Sequence, residues 1–405
     1  MKKSTFYHMP SINFMGVGCL SNLGKECVAR GYKKALLVTD KNLVKLGIVE
    51  KVEQILKDSD ISYTVYDGIE QPNPNVADVK NGYKYISKNN VIKKNYDFVV
   101  SIGGGTNHDT ARAIAALVTN GRSIEDYEGL NKLTKPILPW VAVNTNAGSG
   151  AHVTMVGIVG DDSRKTKMNF TDPKLLATIT IDDPELHVTA PREVTISSGI
   201  DILAQAVEAF VALNATPYTD ALALGAIKLF VNNIRNVVAN GNDLDARYNM
   251  AFAGAMAGSA FNNAGLGHVH TIAHQIGGSS YRHHGLISGV LLPYVLEFNA
   301  PAIPIQKFNE MAFAMGLEGA TGDNAVQIVL NAIREINAEL GIPESLSEMG
   351  AKEENVDYHA KMALKDIAGM TNPRQATLED MVQLIKTAMR VESQTKKQRE
   401  PALSR

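Results

Sequence analysis

The tightest constraint on what this chain can fold into is a change of rhythm near residue 190. Before it, short β-rich runs alternate with amphipathic helices; after it, the pattern is helical. Residues 35–40 read as a buried strand, followed by a helical pattern through Leu56. Residues 63–66 form a second strand that ends in the turn-rich Gln71-Pro72-Asn73-Pro74. A helix over 76–89 leads to a third strand, 98–102, and a fourth, 140–143, follows Pro136 and Pro139. Strand–helix alternation at this spacing predicts a parallel sheet with helices on both faces, which binds ligands beyond the carboxyl ends of its strands. Past Asp183-Pro184 and Pro191, residues 200–213, 220–239, 245–260 and 324–340 carry the helical repeat. The expected organisation is a Rossmann-like α/β domain over residues 1–190 and an all-helical domain over 191–405, since 405 residues exceed what one core usually organises. Only the tail, 392–405, is polar enough to be disordered.

Composition excludes several classes. Forty basic against 42 acidic side chains, a formal net charge of −2, leave no electrostatic footprint for nucleic acid or an anionic membrane. The first eight residues lack the apolar core of a secretory signal, and no uninterrupted apolar run of about eighteen residues predicts a membrane span. Cys19 and Cys27 are the only cysteines, too few for a disulfide framework or a thiolate metal site. A cytoplasmic protein is the expectation.

Gly103-Gly104-Gly105-Thr106-Asn107 lies directly after a strand and before a helix. Three glycines let backbone amides approach a pyrophosphate, and a helix amino terminus adds favourable partial charge. The triplet matches neither G-x-G-x-x-G nor the P-loop, so a tight turn without a ligand stays open as a reading. Asp40, closing the first strand, is placed to accept hydrogen bonds from ribose hydroxyls and to repel a 2′-phosphate, which favours NAD over NADP. A plain helix cap is the equal alternative for Asp40.

Half of the ten histidines fall between residues 268 and 284. His270 and His274 are four apart and share a face of any helix they occupy; Asp201 and Gln205 repeat that spacing within an apolar helix. Buried polar groups need partners, and one metal ion satisfies several at once.

Together with Ile181-Asp182-Asp183-Pro184-Glu185-Leu186, Gly199-Ile200-Asp201, the run from Ala260 to Gly267, His270-Thr271-Ile272-Ala273-His274 and His284-Gly285, these motifs make the chain resemble the iron-activated (group III) alcohol dehydrogenases to about Arg374. Within them it looks most like the 1,3-propanediol, methanol and ethanol dehydrogenase branches. The resemblance implies a dehydroquinate synthase-like fold, NAD, one divalent metal, a small alcohol or aldehyde as substrate, and a homo-oligomer. Carried over by position, it makes Asp201, Gln205, His270 and His284 the metal ligands. His274 stands near substrate and nicotinamide as a proton relay, and Phe261 lines the substrate pocket. Asp40, Asn73, Gly104, Gly105, Thr106 and Asp109 take positions of cofactor contacts, as do Thr145, Asn146, Ser149, Lys167 and Leu186.

Two departures from the family pattern bear on chemistry. Gln205 stands where the family has histidine, exchanging imidazole for a harder amide oxygen. Fe²⁺ and Zn²⁺ are the metals the resemblance implies; Ni²⁺, Co²⁺ and Mn²⁺ are compatible with the mixed donors. His152 replaces a family glutamate, and one hypothesis has it supply the missing imidazole. Competing readings are a reductase specialised for lactaldehyde or a longer aldehyde, and an NAD(H)-binding protein with a decayed metal site.

Overall fold

The computed structural model describes residues 4–5, 7–70, 73–88, 91–92, 96–164, 166–280 and 284–390. The expected polar tail, the Gln71-Pro72 half of the turn, Asn89 and His283 lie outside these residues.

The strands are β1 (Ile12–Met15), β2 (Lys34–Asp40), β3 (Ser62–Ile69), β4 (Ser87–Lys88), β5 (Val91–Ile92), β6 (Phe98–Gly103), β7 (Gly129–Leu130), β8 (Trp140–Asn144), β9 (Val156–Asp161), β10 (Thr166–Thr171) and β11 (Ile179–Asp182). Six of them form one parallel sheet in the order β1-β11-β8-β6-β2-β3. Side chains of a strand alternate between faces. Leu36 and Val38 therefore join the core under one face, and Ala35 and Leu37 the core under the other. Helices α1 (Asn22–Ala29) and α3 (Ile48–Asp58) cover the second face. The short α2 (Lys41–Lys45) follows β2, while α4 (Val76–Ile86) and α5 (Gly105–Asn120) cover the first face. β7, β10 and β9 make a small separate sheet, with β9 and β10 antiparallel.

After the short α6 (Pro184–His187), every regular element of more than five residues among the described residues is a helix: α7 (Arg192–Val211), α8 (Pro217–Ala239), α9 (Leu244–Ala264), α10 (His268–Ser280), α11 (His284–Asn299), α12 (Ile305–Ala314), α13 (Asn324–Leu340), α14 (Val356–Ala363) and α15 (Leu378–Ala388). They enclose a single apolar core that runs from Ile196 to Ala388. α7 and α8 are long and apolar enough to cross a membrane by length and composition alone; 89% of the apolar window of α7 is buried inside the protein, against 33% for α8. α7 is thus the central helix of its half. Each Leu or Ile it buries contributes about 1.5–3 kcal/mol.

Candidate active site

A cleft of about 960 Å³ runs between the carboxyl edge of the large sheet and the helices that follow. β2 and β6 are neighbours although β3 lies between them in sequence, so the chain leaves them in opposite directions and opens a gap there. Asp40 closes β2 at this gap. Its Oδ1 accepts from the N–H groups of Asn42 and Leu43 at 2.9 and 3.1 Å, capping α2, which contributes about 1 kcal/mol. Its Oδ2 accepts from Asn107 Nδ2 at 3.1 Å, and the residue lines the cleft. Cap and cleft wall are therefore compatible roles.

Across the gap, a Cβ on Gly104 would lie 2.8 Å from Asn146 Oδ1, and one on Gly105 2.7 Å from Ser149 Oγ. Glycine at both positions keeps these two loops in contact without displacing those side chains, and α5 starts there with Gly104, Gly105 and Thr106 on the cleft. The fully buried Arg112, two turns into α5, donates to the carbonyls of Thr154 (2.9 Å), Val156 (2.5 Å) and Ala151 and lies 4.6 Å over the Trp140 ring. Asp109 accompanies it at 3.3 Å and accepts from Ile158 N–H; burial pushes the Asp109 carboxyl up to about 6 against the pull of Arg112.

At the other end, α7 presents Asp201 and Gln205, α10 presents His270 and His274, and α11 begins with His284. Asp201 Oδ1 is 3.8 Å from His270 Nε2 and 3.9 Å from His284 Nε2, and one ligand atom from each of the three lies within 4.8 Å of the others. Gln205 Nε2 donates to Asp201 Oδ2 at 2.7 Å, the only orientation a carboxylate accepts. Asp201 Oδ1, Gln205 Oε1 and His270 Nε2 are left buried with no hydrogen-bond partner. Such atoms cost about 1–3 kcal/mol each, and a cation shared among them removes that cost. The donor set, two imidazoles with carboxylate and amide oxygen, suits a divalent transition metal.

Two family models cover nearly the whole chain: iron-containing alcohol dehydrogenase over residues 10–184, and the carboxy-terminal part of the Fe-containing alcohol dehydrogenase family over 195–389. The chain belongs to the iron-containing alcohol dehydrogenases. The NAD-dependent methanol dehydrogenase of Bacillus methanolicus is 40% identical over 95% of this chain and all of its own length. The 1,3-propanediol dehydrogenase of Citrobacter freundii is 39% identical over 94% of this chain and 98% of its own length. A crystal structure of a 1,3-propanediol oxidoreductase superposes with a TM-score of 0.90 at 37% identity, covering 96% of this chain and all of its own.

Most residues expected at the site of this iron-containing alcohol dehydrogenase converge on the one cleft: Asp40, Asn73, Gly104, Gly105, Thr106, Asp109, Asn146, Ser149 and Lys167 towards the sheet, and Phe261, Asp201, Gln205, His270, His274 and His284 towards the helices. Two do not. Thr145 N–H donates to Gly103 O at 3.1 Å, binding the glycine loop from behind. Leu186 sits in the core on the opposite face of the sheet and borders a separate hollow. His152 also lies outside this cleft and outside the cluster of Asp201, His270 and His284, which speaks against the idea that it replaces an imidazole there. Its Nε2 lies 3.3 Å from Asp182 Oδ2, while His187 Nε2 approaches Oδ1 at 3.0 Å and Asn144 donates there at 2.9 Å. Burial opposes the charge, but the two histidines hold Asp182 far below the usual carboxylate range.

Sequence reasoning missed two carboxylates. Glu208 Oε2 lies 2.5 Å from His270 Nδ1, and Asp366 Oδ2 lies 2.7 Å from His274 Nδ1. Burial alone would lower the His270 pKa; Glu208, with Asp201 and Asp366, reverses that and raises it. His284 goes the other way, pushed well below its usual value by burial and by Lys167 and the two neighbouring histidines.

Proposed function

We propose that this cleft passes a hydride between a small primary alcohol or diol and NAD, giving the aldehyde and NADH with release of one proton. Residues 1–190 hold the dinucleotide in this reading, and 191–405 supply the metal centre. The carrying observation is the convergence of Asp201, His270 and His284 at one end of a cleft whose other end holds the glycine loop and Asp40. A divalent metal held by Asp201, His270 and His284, with Gln205 Oε1 as a further donor, supplies Lewis acidity at the alcohol oxygen. The amides at the start of α5 bind pyrophosphate, and Asp40 accepts from the adenosine ribose. Phe261 gives the alcohol an apolar wall. His274 has its Nδ1 committed to Asp366, so its Nε2 is the nitrogen left to receive the departing proton. Holding the alcohol carbon against nicotinamide C4 is the remaining task, and fixing both partners in one cleft accomplishes it. Cys19 and Cys27 are buried free thiols that burial pushes up to about 12, so neither is set up as a nucleophile for this chemistry.

The reading is tested by stripping the protein with chelator and following NADH absorbance with 1-propanol, with and without Fe²⁺, Zn²⁺, Ni²⁺ or Mn²⁺. Activity restored by metal is the expected result. Tight NADH binding without turnover under any metal would instead favour a non-catalytic cofactor-binding protein.

Lys167 adds a pH dependence. Its Nζ donates to Asn73 Oδ1 at 3.0 Å, and burial brings its pKa down to about 8, although Asp201 and Asp109 resist. Below that pH the ammonium attracts the cofactor's phosphates; above it the charge is lost. NADH affinity of the metal-free protein is therefore expected to fall as pH rises through about 8. Lys167→Met should bind roughly tenfold more weakly at pH 7, with that pH step gone. An unaltered pH profile in the variant, read by NADH fluorescence titration, removes Lys167 from the cofactor site.

A further inference from the structure

Glu208 divides its two oxygens between two partners. Oε2 meets His270 Nδ1 at 2.5 Å, and Oε1 accepts the Val269 N–H at 2.7 Å. Both side chains are buried, Glu208 at 4% and His270 at 2% exposure. Val269 lies in the first turn of α10, so its N–H is one of the donors no helical carbonyl can reach, and a carboxylate there is also favoured by the helix dipole. The fit is close: a Cβ on Gly267 would lie 2.9 Å from Glu208 Oε1. Glu208 also follows Asp201 by seven residues, which returns it to the same face of α7.

A histidine that offers Nε2 to a metal must carry its proton on Nδ1, and an acceptor at Nδ1 fixes that tautomer and the ring plane. His270 Nε2 is the buried nitrogen without a partner beside Asp201. We propose that Glu208 is a positioning residue of the metal centre, locking His270 with Nε2 free and tying that orientation to the start of α10. The proposal rests on the reading of Asp201, His270 and His284 as the residues that hold the metal.

Glutamine at 208 is nearly isosteric yet has one oxygen where two are needed. With its oxygen on Val269 N–H, its NH₂ faces Nδ1 and drives the His270 proton onto Nε2; with its oxygen on His270, the NH₂ opposes an N–H. The test uses the full chain, stripped by chelator, with Zn²⁺ affinity measured by competition against a chromophoric chelator. Glu208→Gln should bind Zn²⁺ roughly 10–100-fold more weakly. In a His270→Ala background the same change should have no further effect, because Glu208 acts through His270. Wild-type affinity in Glu208→Gln, or an undiminished second loss in the double variant, overturns the proposal. His270→Ala and His284→Ala separate the two ideas: if both bind Zn²⁺ like wild type, the metal reading itself falls and takes the proposal with it. Nitrogen-15 NMR of the zinc-loaded wild type needs no variant to fold. Protonated Nδ1 on His270 is expected, and a proton on Nε2 overturns the role of Glu208.

Discussion

Alanine at His284, and separately at His270, is expected to abolish metal-dependent turnover. The two residues come from different helices, so each substitution removes one donor without disturbing the other's backbone. Lewis-acid stabilisation at the reacting oxygen amounts to several kcal/mol, so the loss should be roughly two to four orders of magnitude in rate at fixed metal concentration. The pair should differ in how protons compete with metal. His284 is held neutral by burial and by Lys167 and the histidines beside it, and offers a lone pair at any pH near neutrality. His270 is burdened by burial too, but Glu208 and the other carboxylates raise its pKa, so a proton must leave before metal binds. Wild-type metal affinity is thus expected to weaken as pH falls through the raised pKa of His270, and a His270→Ala protein should lose that step along with most of its affinity. Metal titrations of both variants at two pH values check this. Substantial metal-dependent activity in both would sink the ligand assignment.

Gly285→Ala should be the most damaging single-methyl change near the site. A Cβ there would lie 1.9 Å from the Ser197 carbonyl oxygen and 3.0 Å from Asp201 Cβ. The obstacle is backbone of α7, which no rotamer change relieves, so α11 must move away. His284 is the preceding residue, and that movement carries it from Asp201. Overpacking of this kind costs about 1–3 kcal/mol or more, and a centre whose ligands are drawn apart should lose at least about tenfold in metal affinity. Gly289→Ala is the comparison one turn along: its Cβ would meet Ile200 Cγ1 at 2.9 Å, a side-chain atom rather than the backbone of α7. Thermal melts and Zn²⁺ titration of the two variants give the comparison. If Gly285→Ala melts and binds like wild type, the helix contact does not set the ligand spacing.

How much of this was readable beforehand depended on whether the signal was local. β2, β3, β6 and β8 showed as β-rich runs, and α13 was delimited at both ends by its own periodicity. β1 and β11 were not seen, because each has only four residues and is a strand by virtue of pairing, β1 with β11 and β11 with β8. The hairpin of β9 and β10 was hidden by Gly157 and Gly160 in a run that otherwise alternates. α11 is apolar on all sides and contains Pro293, so neither periodicity nor propensity marked it. In the site, Asp201, Gln205, His270 and His274 were legible from their spacing of four. Glu208 continues the phase of Asp201 and was within reach of the same argument. Asp366 was not: it meets His274 from 92 positions away, from the short connection that follows α14. The partnership of His152 with Asp182 likewise depends on β11 lying beside β8 in register, Asp182 against Asn144.

Arg112 bears on any attempt to swap parts between relatives. Its guanidinium holds three carbonyls of the stretch from Ala151 to Val156, so that stretch behaves as an appendage of α5 rather than as a free loop. Its amides should exchange with deuterium only in large openings of the domain, unlike those of an ordinary surface connection. A segment transplanted from here into a relative without the arginine would arrive with the Thr154 and Val156 carbonyls unmet, each worth about 1–3 kcal/mol, while the Ala151 carbonyl would keep Thr154 as its donor. The transferable module is α5 and the segment together.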